Sequence, residues 1–142
     1  MDNTVIINLK HYRVSSGPLC ERFLSSFIGM DTPDNTRIIF ALNQIDLRLA
    51  KNFPELTFYS QHVDPVEYGA KTGQLSIESL LDLGISGTLL NHSEKRLDEN
   101  TIVKVMDLAR RSGFPAVICA ENLSEAEKYS GLNSEYSEDS CQ

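Results

Sequence analysis

Gly87-Thr88-Leu89-Leu90 runs straight into Asn91-His92-Ser93-Glu94-Lys95-Arg96. Four continuous apolar or β-branched positions suit a strand buried on both faces, and the abrupt polar block marks its exit from the core. A helical pattern follows over 99–112, in which Ile102, Met106 and Ala109 recur at helical spacing. Asp98 can accept the first free N–H groups, Arg110 and Arg111 suit the carboxyl end of the helix dipole, and Gly113 is a stop signal. A second short apolar run, 116–119, comes next. Strand, helix, strand in this rhythm is a βαβ unit, which places two parallel strands side by side.

The rhythm extends outward in both directions. Further strands are expected over 5–8, 38–42 and 57–61, and further helices over 18–28, 45–51, 77–83 and 124–129. Five successive units of this kind predict an α/β fold with a parallel sheet and right-handed crossovers. After residue 130 the pattern breaks. Only Leu132, Tyr136 and Cys141 are apolar between Gly131 and Gln142, and from Glu121 onward six acidic residues face one lysine. This composition predicts a domain over 1–130 and a solvated, frayed, acidic tail over 131–142.

Composition narrows the function. The 142 residues are 41% hydrophobic and 23% charged, enough for one domain with a real core. The net charge of −7 speaks against non-specific binding to nucleic acid or to an anionic membrane surface. The longest apolar runs, 38–42 and 116–120, have five residues, whereas a bilayer span needs about 20. The amino terminus opens with Asp2 and carries no basic region, so no secretory signal is expected. Cys20, Cys119 and Cys141 are odd in number and far apart, which points to a reducing cytoplasm rather than to disulfides or a four-cysteine zinc site. Cys119 ends a strand and reads as an inert core thiol.

Functional groups of parallel α/β folds gather at the carboxyl ends of strands. Two such ends are conspicuously polar: Asn8-Leu9-Lys10 and Asn91 to Arg96. A lysine is a cation for phosphate or for a developing oxyanion, and a histidine is a proton donor or electrophile. Glu94 can pair with the lysine. A short helix starting at Ser93 would depress the His92 pKa through its dipole. The plainer readings are a solvated lysine and a capping histidine; what favours chemistry is the pair at one end of one sheet. A third strand end, Gln61-His62-Val63-Asp64, places His62 and Asp64 on one face. They read as a metal site only weakly, without a third ligand, and better as a structural hydrogen bond. Gly69-Ala70-Lys71-Thr72-Gly73 reads as a projecting loop, either a surface turn or a subunit contact. Gly84 and Gly87 make no phosphate-cradling fingerprint.

In this order, Asn8-Leu9-Lys10, Ser60 to Asp64, Tyr68 to Gly73, Gly87 to Arg96 and Val117-Ile118-Cys119 resemble the triosephosphate isomerase family, in its shorter archaeal-type branch, from about Val5 to about Tyr136. The resemblance implies part of a (β/α)8 TIM barrel and the interconversion of dihydroxyacetone phosphate and glyceraldehyde 3-phosphate, without metal or organic cofactor. Asn8 and Lys10 match the family's substrate-binding pair, His92 the catalytic histidine, Glu94 the glutamate that positions the lysine, and Arg96 the structural arginine. Thr72 matches the loop threonine that reaches a neighbouring subunit, which implies a homo-oligomer.

The resemblance departs at the sixth strand, where the family carries its general base, a glutamate followed by proline. Counting on from Tyr136, that position falls near Ser140, and neither Glu138 nor Asp139 precedes a proline. The lid, the last strands and the glycine-rich phosphate site are also unmatched. The expectation is therefore an isomerase by descent that stops short of its base. The competing readings are a non-catalytic half-barrel that binds or assembles, and a half-enzyme completed by a second chain. Open edges on the first and fifth strands would then favour self-association.

Overall fold

Side chains along a strand point alternately to opposite faces, and in this sheet the two faces meet different partners. The computed structural model describes residues 3–132. Its strands are β1 (Asn3–Asn8), β2 (Thr36–Leu42), β3 (Thr57–Ser60), β4 (Gly87–Leu90) and β5 (Ala116–Ile118). From β2, Phe40 and Leu42 enter a large core beneath the helices, and Ile38 packs against it. Ile39 and Ala41 enter a smaller cluster with Tyr59, Leu89 and Val117 on the other face.

The strand order is β1-β2-β3-β4-β5, and every neighbouring pair is parallel. Each strand lies beside its successor in sequence, without the reversal of order that defines a doubly wound sheet. The sheet curls into a half-barrel with the helices outside and the smaller cluster within. The α/β expectation from the βαβ rhythm is borne out.

The helices are α1 (Pro18–Ser25), α2 (Ile77–Asp82), α3 (Glu99–Ser112) and α4 (Leu123–Ser130). In α3 the Asp98 carboxylate accepts the Thr101 N–H at 2.8 Å, and Gly113 closes the helix at φ 60°. Its buried residues are Ile102, Val105, Met106 and Ala109. The helix expected over 18–28 ends at Ser25, because Phe27 and Ile28 bond three residues back, to Leu24 and Ser25, in tightening turns. Those turns bring the Phe27 ring to 4.8 Å from Phe40.

The α-helix expected over 45–51 is a 3-10 helix, Leu47–Asn52. Leu47, Ala50 and Phe53 are buried, and a period of three is the 3-10 period, not the α period. Of the acidic tail expected over 131–142, residues 133–142 lie outside the described residues. Leu132 still donates its N–H to the Tyr129 carbonyl at 3.0 Å and packs on the large core. Among the described residues no helix is long and apolar enough to cross a membrane.

Gly87 sits in register with Tyr59 across β3 and β4, and the tyrosine ring lies over it. A Cβ there would meet Tyr59 Cζ at 2.4 Å and the Pro115 carbonyl oxygen at 2.8 Å. The ring is 2% exposed and cannot swing into solvent, and the second obstacle is backbone. Gly87→Ala is expected to destabilise the half-barrel by about 1–3 kcal/mol, as overpacked cores do. A urea melt checks this; an unchanged midpoint would contradict the packing described.

Candidate active site

The end of β1 turns sharply. Asn8 is the last strand residue, in register with Ala41, and its Oδ1 accepts the Lys10 N–H at 3.0 Å. Lys10 has φ 54°, a left-handed conformation that costs an L-residue about 1–2 kcal/mol. Its carbonyl accepts a hydrogen bond from Gln61 Nε2 at 2.9 Å, just beyond β3. The lysine side chain then spans the mouth of the half-barrel. Its Nζ lies 3.0 Å from Glu94 Oε2 and 2.8 Å from His92 Nε2.

The end of β4 is built the same way. Asn91 is 1% exposed, with φ 60°. Its Nδ2 donates to the Cys119 carbonyl at 3.0 Å, and its Oδ1 accepts the Leu97 N–H at 2.9 Å. One side chain thereby ties the β4 exit to β5 and closes the loop that carries His92. Arg96 completes the frame: Nη1 donates to the Asn91 carbonyl at 3.3 Å, and Nη2 pairs with Glu125 at the start of α4. The Arg96 hydrogen bond is the main reason Glu125 is held below the ordinary glutamate range.

The short helix expected after Ser93 does not form. Lys95 N–H donates to the His92 carbonyl at 2.7 Å, a single turn, so no helix dipole acts on the ring. A single main-chain N–H does act on it: that of Glu94, which donates to His92 Nδ1 at 3.1 Å. Glu94 Oε2 is 3.5 Å from Nδ1, too long for a good hydrogen bond. A main-chain N–H can only donate, so Nδ1 accepts and the neutral ring carries its proton on Nε2. Burial, followed by the Lys10 charge, pushes the His92 pKa below 6.5; Glu94 opposes the shift. At neutral pH the imidazole is uncharged and turns an N–H toward Lys10 Nζ.

Asn8, Lys10, Gln44, Gln61, His62, Asp64, His92, Glu94 and Lys95 line a cleft of about 440 Å³ at this end of the sheet. His62 Nε2 and Asp64 Oδ1 are 2.9 Å apart, and Asp64 Oδ2 accepts the Leu75 N–H at 2.8 Å. Burial alone would raise the Asp64 pKa, but these two hydrogen bonds hold it below 3.8. The pair pins the projecting loop to the end of β3, the structural reading expected of it. Thr72 is exposed on that loop, and its neighbour Gly73, which turns the chain at φ 79°, lines the cleft.

Lys10, His92, Glu94 and Asn8 are thus brought together as the strand ends suggested. Gln61, Asn91 and the Arg96–Glu125 pair carry positioning work that residue types alone did not reveal. Their signal was present: each of the first two is a polar residue directly after a strand.

A parallel half-barrel whose strand ends press a cation against a neutral imidazole belongs to the class of (β/α) barrels, whose functional groups gather at the carboxyl face of the sheet. Sequence comparison narrows the class. The pattern of the family described as triosephosphate isomerase matches residues 3–140, and the chain belongs to that family. It is 43% identical to the triosephosphate isomerase of Thermoplasma volcanium over 129 residues, 91% of this chain and 59% of that protein. It is 34% identical to that of Methanothermobacter thermautotrophicus over 84% of this chain and 52% of the relative. With the enzyme of Methanobrevibacter smithii the figures are 30%, 84% and 54%. The chain spans a little over half the length of these relatives.

The electrostatics give a test. Lys10→Met removes a cation that disfavours the imidazolium, so the His92 pKa is expected to rise, yet to stay below 6.5 because burial is the larger cause. The sign carries over to stability. A histidine with a depressed folded pKa contributes stability above pH 6.5 that is lost as pH falls through the folded value, and Lys10→Met shrinks that loss. Ring-carbon NMR titration reads the shift directly.

Proposed function

We propose that the cleft is the electrophilic half of a triose-phosphate isomerase site, which takes up dihydroxyacetone phosphate or glyceraldehyde 3-phosphate. One observation carries this reading. Lys10 Nζ and His92 Nε2 are 2.8 Å apart, and with Nδ1 accepting the Glu94 N–H both are donors. Neither offers the other a lone pair, so an oxygen acceptor entering the cleft satisfies both at once. A carbonyl oxygen that becomes an oxyanion as a proton leaves the neighbouring carbon is such an acceptor, and its charge grows where the donors already point.

The roles follow from this geometry. Lys10 supplies the positive charge, and Glu94 steadies the lysine. His92, neutral, donates from Nε2 and can pass a proton between the two substrate oxygens. Asn8 shapes the turn and places its amide beside the ligand. The reaction moves protons within one molecule and calls for no cofactor in this reading. Removal of the carbon-bound proton falls to the glutamate that the family carries on a sixth strand, beyond the five described. Thr72 on its exposed loop is the contact we propose for a second copy of the chain, and the cytoplasm is the proposed location.

Two measurements test the proposal. In calorimetry with 2-phosphoglycolate, Lys10→Ala is expected to weaken binding by about 10–100-fold, the loss of a charge-assisted bond, and His92→Ala by less. The reverse order would overturn the assigned roles. The 142-residue chain alone is expected to turn over triose phosphate at least about 10²-fold more slowly than a full-length relative, the usual worth of a positioned base. Turnover within tenfold of such a relative would overturn the division of the site.

A further inference from the structure

Lys10 is the residue on which the cleft depends, and its backbone is in the wrong conformation to stay there unaided. The regular pairing of β1 with β2 runs out at the Leu9 N–H, which donates to the Ala41 carbonyl at 3.1 Å. The next residue is left-handed, so its carbonyl no longer points along the sheet. The carbonyl finds its donor 51 residues later in sequence. Gln61 Nε2 donates to the Lys10 carbonyl at 2.9 Å and to the Ala41 carbonyl at 3.1 Å. The Gln61 main-chain N–H donates to the Leu42 carbonyl at 3.2 Å, which fixes the base of the side chain.

We propose that Gln61 is a positioning residue: its side-chain amide clamps the left-handed Lys10 backbone across three strand ends and so sets where Lys10 Nζ stands. The residue type fits the task. Both Nε2 protons are spent on carbonyl oxygens, which a carboxylate in the same place would repel. A lysine or arginine there would place a second cation beside Lys10. Asn8 holds the other side of the same residue, its N–H, so the two peptide groups flanking the Lys10 side chain are both bound by side chains rather than by ladder hydrogen bonds. Without Gln61 the Lys10 carbonyl loses its donor and the left-handed turn loses its counterweight. The ammonium then leaves its 2.8 Å approach to His92. The purpose of the clamp, delivery of a cation to substrate, rests on the isomerase reading; the clamp itself does not.

His92 reports the position of Lys10, because the Lys10 charge is one of the causes that depress its pKa. The other charged groups near the ring are Glu94 and Lys95 on its own loop and the His62–Asp64 pair at the end of β3. The variants below leave all of them in place. The experiment is a ring-carbon NMR titration of His92 in the whole 142-residue chain, for wild type, Gln61→Met, Lys10→Met and the double variant. Gln61→Met is expected to raise the His92 pKa part of the way to its value in Lys10→Met, and to change nothing further once Lys10 is already methionine. An unchanged titration in Gln61→Met overturns the proposal, and so does a full additional shift in the double variant, since Gln61 would then act by another route.

If Gln61→Met does not fold, the wild-type chain decides. The Gln61 side-chain amide protons should exchange slowly and show through-bond couplings to the Lys10 and Ala41 carbonyl carbons; exchange as fast as in free glutamine overturns the clamp. Calorimetry with 2-phosphoglycolate separates the two readings. No binding by wild type overturns the isomerase reading and with it the purpose of the clamp, whereas the titration judges the clamp whatever binds. Where wild type binds, Gln61→Met should weaken affinity by about three- to tenfold in the Lys10 background and not at all in Lys10→Met.

Discussion

A single lysine held in a left-handed turn is the constraint around which the cleft is arranged. Three strand ends converge on Lys10: Asn8 from β1 takes its N–H, Gln61 from β3 takes up its carbonyl, and His92 and Glu94 from β4 meet its ammonium. Each contact is ordinary alone. Together they hold a backbone conformation that an L-residue avoids, and they set a flexible side chain against an imidazole. Parallel strands in consecutive order make this possible, because such a sheet delivers every carboxyl end to the same rim.

The rim differs in character from the chain as a whole. The protein carries a net charge of −7, whereas the cleft sets Lys10 and Lys95 against Glu94 and Asp64, beside a neutral His92. Acidic partners are deployed against specific cations: Glu94 on Lys10, Glu125 on Arg96 and Glu99 on Lys128. Charges paired in this way give the rim local fields rather than one broad basic surface. The imidazole in that field stays neutral for two physical reasons, burial and the adjacent ammonium. A dipole from a following helix, which the polar run after His92 suggested, is not needed: the Glu94 main-chain N–H meets Nδ1 at 3.1 Å, with the Ser93 hydroxyl at 3.4 Å.

Packing supports the rim from below. Two cores on opposite faces of one sheet explain why the strands read as continuous apolar runs instead of alternating ones. The inner cluster is small, and Tyr59 fills it only because Gly87 leaves room beside it. That local fit sits one strand length below His92, so the loop from Asn91 to Arg96 rises from a tightly specified base.

Much of this was legible in the residues alone. The strands, α3 with its Asp98 cap and Gly113 stop, and the gathering of Lys10 and His92 at one rim all depend on short-range pattern and on the fixed geometry of βαβ units. So does the family resemblance, because the block from Asn91 to Arg96 is contiguous. The tertiary structure decided the rest. The 3-10 helix at Leu47–Asn52 follows from which residues the core accepts at a spacing of three. The His92 tautomer and its depressed pKa follow from a main-chain donor and from an ammonium 82 residues away in sequence. The grip of Gln61 on Lys10 joins positions 51 residues apart. A sequence pattern records which groups a chain possesses and how neighbours are spaced. Which donor meets which acceptor across the barrel mouth is settled only when the strands have curled and their ends share one rim.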